Sequence, residues 1–269
     1  MVIEITLTTD PVQSLTVPDS PSMPTAVIPK RLGDKTGIAR TGIFLAGVVL
    51  AAVVGNFAAS LAVVVTIGRD AGEVVTFVAG TLGTELSFLL IGAAYLRVGS
   101  SFRPSVQMLK RRAVPYLISG LLASFATAFL SLAVTDAVVP AIDLSPGYME
   151  YSNLGEPTGA GLVAAAVLSL AVIGPVEEFF FRGVIQSRLQ AALGSVSAIS
   201  IAGATFALFH VYPVALLSPP PIMIGHMAVY YTLMGAIFGW VYHRTDTLIA
   251  PALVHGTFNA TVFTLPLWT

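Results

Sequence analysis

The chain has 269 residues, of which 55% are hydrophobic and only 10% are charged, and its mean hydropathy is +0.86. A soluble domain carries about 25% charged residues, so this composition excludes an ordinary soluble globular protein. The formal net charge of −1 provides no basic surface for nucleic-acid binding, and the absence of cysteine excludes disulfides, thiolate metal sites and cysteine catalysis.

The N-terminal segment is polar and poor in charge. Its first 29 residues are rich in Thr, Ser, Pro and Val, and their only charged residues are Glu4, Asp10 and Asp19. No basic stretch leads into an apolar run, so the pattern is not that of a signal peptide. We expect residues 1–40 to form a disordered, polar cytoplasmic tail and residues 41–269 to form a transmembrane helical domain.

The apolar segments that follow are long enough to cross a bilayer, which takes about 20 mostly apolar residues. Pro213 and the prolines at 219–221 divide the uncharged stretch before Arg244 into two of them. The predicted spans are Thr41–Ile67, Val74–Leu96, Ala113–Val134, Gly161–Leu193, Ser195–Leu217, Ile222–Tyr242 and Thr247–Trp268. The sequence therefore predicts an all-α, polytopic transmembrane helix bundle of about seven spans.

Basic residues are distributed unevenly between the connections. Eleven of the twelve Lys and Arg residues other than Arg182 fall on alternate connections, and only Arg69 falls on the opposite set. Cytoplasmic loops of membrane proteins carry an excess of basic residues. We therefore expect an integral membrane protein whose N-terminus is cytoplasmic and whose C-terminus lies outside.

The fourth span contains Glu177, Glu178 and Arg182. Ionisable groups inside a bilayer are costly unless they are paired or hydrated, so they mark functional sites by default. Glu178 and Arg182 are four residues apart and share a helix face, which allows an ion pair. Glu177 points about 100° away and is compensated less completely, which suits a general base. The alternative is that all three only hold the helix against its neighbours.

The fifth span contains Phe206 and His210, four residues apart. If the fourth and fifth helices form a hairpin that turns at Gly194, Glu177 lies 17 residues before the turn and His210 lies 16 residues after it. The equal rise of two antiparallel helices then places both side chains at the same depth. Such a pair can hold and polarise a water molecule, whereas a lone His in an apolar helix is more often a packing residue.

The last span contains His255 and Asn259, which project from one helix face. The His can donate to a developing oxyanion or ligate a metal, and the Asn amide is a donor suited to the same oxyanion. An interhelical hydrogen-bonding pair is the alternative. For Glu85, in the second span, we expect a structural or gating role. His226, in the sixth span, has no partner that the sequence identifies, and we expect a structural or interfacial role.

Two glycines in the sixth span, Gly235 and Gly239, form a GxxxG pair. Small residues at this spacing let helix backbones approach each other closely. We therefore expect close helix packing at this pair and no catalytic role.

Three short motifs lie in order on successive apolar segments, and they read Glu177-Glu178-x-x-x-Arg182, Phe206-x-x-x-His210 and His255-x-x-x-Asn259. They resemble the EExxxR, FxxxH and HxxxN pattern of the CAAX-protease and bacteriocin-processing family of membrane peptidases, also called the Abi family. The resemblance covers about residues 160–265, the expected catalytic core. It implies an endopeptidase that acts on a peptide or membrane-protein substrate at or in the lipid bilayer. Some relatives cleave prenylated CAAX peptides, and others are linked to bacteriocin maturation or immunity.

Two mechanisms fit this resemblance. In the first, Glu177 and His210 activate water, His255 and Asn259 stabilise the oxyanion, and the ion pair holds the site together. In the second, Glu177, His210 and His255 ligate a divalent metal such as zinc. The HExxH signature of zinc peptidases is absent, and we favour the metal-free mechanism slightly.

Two other classes of function compete with a peptidase. A proton-coupled transporter also uses buried Glu and His residues, but transporters usually contain internal repeats, and the two halves of this sequence show none. A non-catalytic membrane immunity or scaffold protein of the same fold is the other alternative, and the intact motifs argue against it.

Overall fold

The computed structural model of the chain describes residues 35–67, 71–98, 104–141 and 158–267, and no strand occurs within these ranges. The helices are α1 (Lys35–Ile67), α2 (Glu73–Val98), α3 (Val114–Ala141), the composite helix α4 (Ala160–Leu193), α5 (Ser195–Ala215), α6 (Pro221–Thr245) and α7 (Ile249–Thr264). The prediction of an all-α helix bundle is confirmed.

Six of these helices, α1 to α6, are long and apolar enough to cross a membrane by length and composition. The last one, α7, has 16 residues, which is fewer than the about 20 that a full crossing needs. A single 3₁₀ turn, Leu265–Leu267, extends it. The described part of the chain therefore has one crossing-length helix fewer than predicted. Its apolar helices identify an integral, multi-pass membrane protein.

The first helix begins earlier than the sequence predicted, at Lys35 instead of Thr41. The charged residues Lys35 and Arg40 occur within the first two turns of this helix, so the apolar window alone placed its start too late. Residues 1–34 lie outside the described part, and the disordered tail stays a prediction.

The composite helix α4 changes its winding twice. Its α-helical stretches are interrupted by π-helical turns at Ser169–Ile173 and Phe179–Gln186. The wider turn is visible at Ser187, whose backbone N–H donates to the carbonyl oxygen of Arg182, five residues earlier. Turns of this kind are rare and occur frequently at functional sites. Here they flank Glu177 and Glu178.

Close backbone packing joins α6 to its neighbours. A Cβ atom built on Gly235 would lie 2.7 Å from the Cα atom of Gly203 on α5, so a side chain at either position would push the helices apart. One turn later, Gln186 of α4 donates from Nε2 to the carbonyl oxygen of Gly239 at 2.9 Å. The predicted close packing at Gly235 and Gly239 is confirmed.

The segment before α3 is tied to the turn between α6 and α7. The amide of Leu248 donates to the carbonyl oxygen of Ser105 at 2.9 Å, and Thr247 Oγ1 donates to the carbonyl oxygen of Gln107 at 2.7 Å. These two connections therefore lie at the same end of the bundle, as the alternation of basic loops requires. Which side of the membrane that end faces stays a prediction.

Candidate active site

Glu178 and Arg182 form an ion pair inside α4. Glu178 Oε2 lies 2.9 Å from Arg182 Nε, and both side chains are completely buried. The contact is a charge pair without the alignment of a hydrogen bond. The guanidinium carbon also lies 5.2 Å from the ring centroid of Phe206 and 5.6 Å from that of Phe238. Attraction between the cation and these rings offsets part of the cost of removing the guanidinium from water.

His255 of α7 contacts the second oxygen of the same carboxylate. Its Nδ1 donates to Glu178 Oε1 at 3.0 Å. The imidazole stacks on Phe238 with centroids 4.6 Å apart and meets the ring of Phe206 at 5.7 Å. Glu178 therefore connects Arg182 to His255, a contact that the helical spacing within α4 could not reveal. The hydrogen bond and the stacked ring together fix the orientation of the imidazole.

The approach of α7 to α4 depends on two glycines. A Cβ atom on Gly256 would lie 2.7 Å from the carbonyl oxygen of Ser169, and one on Gly174 would lie 2.8 Å from that of Ala252. Real Cβ atoms do not come this close to a carbonyl oxygen, so the two backbones are in contact only because side chains are absent. This contact brings His255, next to Gly256, up to the carboxylates.

Glu177 faces the other nitrogen of the same imidazole. Its Oε2 lies 4.0 Å from His255 Nε2, which is too far for a direct hydrogen bond. The residue is 7% exposed, and Oε2 is buried without a hydrogen-bond partner among the described groups. Glu177 is thus less compensated than Glu178, as the sequence predicted, and its carboxylate has an oxygen free to bind a proton donor.

His210 of α5 also packs on the ring of Phe206, with centroids 4.3 Å apart. The hairpin that the sequence predicted is present, since Gly194 separates α4 from α5 with φ of +82°. His210 Nδ1 donates to the carbonyl oxygen of Phe206 at 2.9 Å, which leaves Nε2 as an acceptor in the neutral ring. The ring stacks on Tyr231 at 4.2 Å and is close enough to Glu177 to interact with it electrostatically.

Asn259 lies one turn beyond His255 on α7 and is half-buried. It makes no hydrogen bond with another described group. The structure therefore places its amide on the same helix as His255, without a hydrogen bond to either carboxylate.

The candidate metal ligands were Glu177, His210 and His255. Among the residues that the structure describes, no group of three or more His, Asp or Glu side chains is arranged to hold a metal ion. Nδ1 of His255 donates to Glu178 and Nδ1 of His210 donates to a carbonyl oxygen, which leaves Nε2 of each ring available. The separation of the three side chains is what argues against a shared metal ion, and the choice of mechanism stays a prediction.

Two ionisable residues outside the motifs have neighbours that the sequence could not identify. His226 has a partner on another helix, because its Nε2 lies 2.8 Å from Ser131 Oγ of α3, and its structural or interfacial role stays a prediction. Glu85 of α2 is 4% exposed and close enough to Glu177 to interact with it electrostatically. The only signal in the sequence was a charge within an apolar span, since helical spacing cannot indicate which helix faces which.

Comparison with known proteins gives one match. Residues 159–261 match the family model described as Rce1-like, type II CAAX prenyl endopeptidase. No curated protein and no solved structure matches the chain. The matched residues include all three motifs, whereas α1, α2 and α3 lie outside them. The resemblance inferred from the motifs is confirmed: the segment that carries the buried Glu, Arg and His residues is similar to the CAAX-protease and bacteriocin-processing family of membrane peptidases.

Proposed function

We propose that the protein is an intramembrane endopeptidase that hydrolyses a peptide bond at or in the membrane. The observation that carries the proposal is the environment of His255, which has Glu178 on Nδ1 at 3.0 Å and Glu177 4.0 Å from Nε2. One carboxylate orients the ring, and the other lies across a gap from the nitrogen that faces the site. A bundle built only for stability has no need of a second, unpaired carboxylate at this place.

The proposed general base is Glu177, assisted by His210. Glu177 has a buried oxygen without a partner among the described groups, and His210 keeps Nε2 as an acceptor because its Nδ1 donates to the backbone. A water molecule that donates a hydrogen bond to an acceptor of this kind is polarised towards hydroxide. Both residues are thereby suited to receive a proton from the attacking water.

The proposed oxyanion site is His255, assisted by Asn259. When His255 carries a proton on Nε2, Glu178 stabilises the positive charge through Nδ1. The ring then presents an N–H donor to the negative oxygen of a tetrahedral intermediate. Asn259, one turn along the same helix, supplies a second donor from its amide. Arg182 stabilises the charge of Glu178 and stays outside the reaction.

In the proposed reaction, Glu177 takes one proton from water as the water oxygen bonds to the peptide carbonyl carbon. The carbonyl oxygen becomes negative and accepts the hydrogen bonds of His255 and Asn259. Collapse of the intermediate breaks the C–N bond, and the proton on Glu177 passes to the leaving amine. The second proton of the water stays on the new carboxyl group, so the products are a carboxylic acid and an amine, which then ionise in water, and no redox partner is required.

The proposed substrate is a peptide or a membrane protein whose scissile bond reaches the buried site. We also propose the orientation that the basic loops indicate, with the N-terminus cytoplasmic and the C-terminus outside. In that orientation, the connections at residues 104–110 and 246–248 face the cytoplasm. A substrate that approaches from the cytoplasm then meets the C-terminal end of α4, which carries Arg188 and Gln190.

The test is cleavage by the full chain reconstituted in liposomes. The probes are a farnesylated CAAX-type peptide and the same peptide without the lipid, and mass spectrometry measures the products. E177Q and H210A are expected to abolish cleavage, whereas H226A, which changes a histidine outside the site, is expected to keep it. Full activity in E177Q or H210A would refute the assignment. Proton transport without cleavage would favour a transporter instead.

Chelation tests the metal-free mechanism on the same sample. Because the described donors do not fit a three-ligand site, 1,10-phenanthroline is expected to leave kcat unchanged, and elemental analysis is expected to find less than stoichiometric zinc. Loss of cleavage with the chelator and its return on adding zinc would show that the metal mechanism is the correct one.

A further inference from the structure

A third buried carboxyl group lies beside the site and comes from outside the family match. Glu85 lies in the middle of α2 and is 4% exposed. Its Oε2 is buried and has no hydrogen-bond partner among the described groups. A carboxyl group in this position costs several kcal/mol of insertion free energy in a transmembrane helix, and no cationic side chain in the described part forms an ion pair with it.

The packing of α2 on α4 determines what Glu85 faces. The ring of Phe88 lies 4.7 Å from that of Phe180, and a Cβ atom on Gly92 would lie 2.7 Å from Phe179 Cε1 and 3.4 Å from Val184 Cγ2. Phe88 is therefore level with Phe180, and the contact with Val184 one turn later indicates that the two helices run in the same direction.

Extending this register towards the N-terminus gives the neighbour of Glu85. Three residues before Phe88 correspond to three residues before Phe180, and that position is Glu177. Glu85 and Phe88 share one face of α2, because they are three residues apart. The register therefore sets Glu85 against Glu177, in agreement with the electrostatic interaction between the two groups.

The two carboxyl groups share an unusual feature. Oε2 of Glu85 and Oε2 of Glu177 are both buried, and neither has a hydrogen-bond partner among the described groups. The nearby guanidinium of Arg182 is already paired with Glu178. Buried polar atoms in proteins are almost always hydrogen-bonded, so each of these two oxygens calls for a donor, and one group with two donors can serve both. A water molecule has two.

We propose that Glu85 and Glu177 bind the attacking water together, so that Glu85 is a further catalytic residue. This inference rests on the proposed peptidase function. The water donates one O–H to each carboxyl group, which directs a lone pair of its oxygen to the peptide carbonyl carbon. Glu177 takes the first proton and later returns it to the leaving amine. Glu85 accepts the second hydrogen bond throughout and takes no proton.

The placement can be tested without any peptidase activity. The chain contains no cysteine, so the double variant E85C/E177C carries the only two thiols. A short bifunctional thiol reagent is expected to cross-link them within one chain, detected by mass spectrometry after proteolysis. The matched control is E85C/Q186C, whose second thiol lies more than two turns further along α4. Absence of a cross-link in the first pair, or equal cross-linking in both, would overturn the placement.

The role can be tested with two substitutions at one position. E85L removes the acceptor and is expected to lower kcat by roughly 10²-fold with KM unchanged, as expected for a misplaced reacting group. E85Q keeps an amide oxygen in the same place and is expected to retain most of kcat. D136N, on the exposed face of α3, is the control for loss of a carboxylate. Thermal unfolding verifies that each variant is folded.

Two results would overturn the role of Glu85: wild-type kcat in E85L, or loss in E85Q as complete as in E85L. A wild-type chain that cleaves neither peptide would instead refute the proposed function, and the cross-link would still report on the placement. Failure of the inference and failure of the function are therefore distinguishable.

Discussion

The first three helices and the last four differ in how much of their surface is buried inside the protein. In the most apolar stretches of α1, α2 and α3, 17%, 17% and 11% of the residues are buried inside the protein, against 33%, 44% and 33% in α4, α5 and α6. The N-terminal helices mostly meet lipid, which any large apolar side chain satisfies. The C-terminal helices enclose charges, so particular side chains must lie at particular places. Glu85 and Phe88 are among the exceptions, and through them α2 contributes to the enclosed part.

The largest effect on stability is expected in the enclosed region, from R182M. The variant leaves Glu178 buried with no guanidinium, and breaking a buried pair typically costs about 3–5 kcal/mol. Denaturant unfolding in detergent micelles, followed by tryptophan fluorescence, measures the free energy.

The matched control for R182M is E178L/R182M, which removes both charges and is expected to recover part of the loss. If R182M alone were as stable as the wild type, the C-terminal helices would tolerate substitution as well as the N-terminal helices.

A smaller effect is expected where α2 enters the enclosed region. Phe88 is 2% exposed, and its ring meets those of Phe180, Phe181 and Phe209. A Phe-to-Ala change in a soluble core costs about 3–5 kcal/mol. We expect roughly 2 kcal/mol for F88A, because transfer from water contributes little between helices in lipid.

Phe129 of α3 is the matched control, because its side chain is 69% exposed and faces lipid. F129A is expected to change the unfolding free energy by less than about 0.5 kcal/mol. Equal losses in F88A and F129A, measured by the same unfolding assay, would remove the distinction between buried and lipid-facing positions in the N-terminal helices.

The smallest stability effect is expected at the contact between α4 and α7. In G256A the new Cβ atom would lie 2.7 Å from the carbonyl oxygen of Ser169. Overpacking of this kind costs about 1–3 kcal/mol, and the better helix propensity of Ala returns about 1 kcal/mol. The net loss is small, but the separation of the helices moves His255 away from Glu177, so kcat should fall much more than stability.

Gly225 of α6 provides the control for G256A, because a Cβ atom there would meet nothing within 4 Å. G225A is expected to keep both kcat and stability. If G256A kept full kcat, the close approach of α7 would be a packing feature with no influence on the reaction.

The sequence predicted those parts of the molecule that depend on local periodicity. The apolar windows located the helices, the i, i+4 spacing located the ion pair of Glu178 and Arg182, and the turn at Gly194 placed His210 in range of Glu177. Each of these depends on one helix or on one tight turn. Residues close in sequence suffice to determine them.

Contacts between distant helices could not be predicted in this way. The hydrogen bond from His255 to Glu178 joins residues 77 positions apart, and the register of α2 on α4 depends on Gly92 and Phe88. A membrane-spanning helix has no contrast between a polar and an apolar face, because lipid and protein interior are both apolar. Its sequence therefore does not indicate which side packs against which neighbouring helix. The π-helical turns of α4 also displace side chains from ideal helical angles. For these reasons Glu85 looked isolated in the sequence.

The ion pair within α4 also has a consequence for biosynthesis. A charged residue at the centre of an inserting helix costs about 2.5–3.5 kcal/mol, and the fourth span carries three of them. Since Glu178 and Arg182 are on one helix, they can neutralise each other as soon as that helix winds, before any neighbour has arrived. Only Glu177 then enters the bilayer as an unpaired charge. Helix α4 can therefore insert into the lipid on its own. Glu177 comes close to His210 and His255 only when α5 and α7 pack against α4.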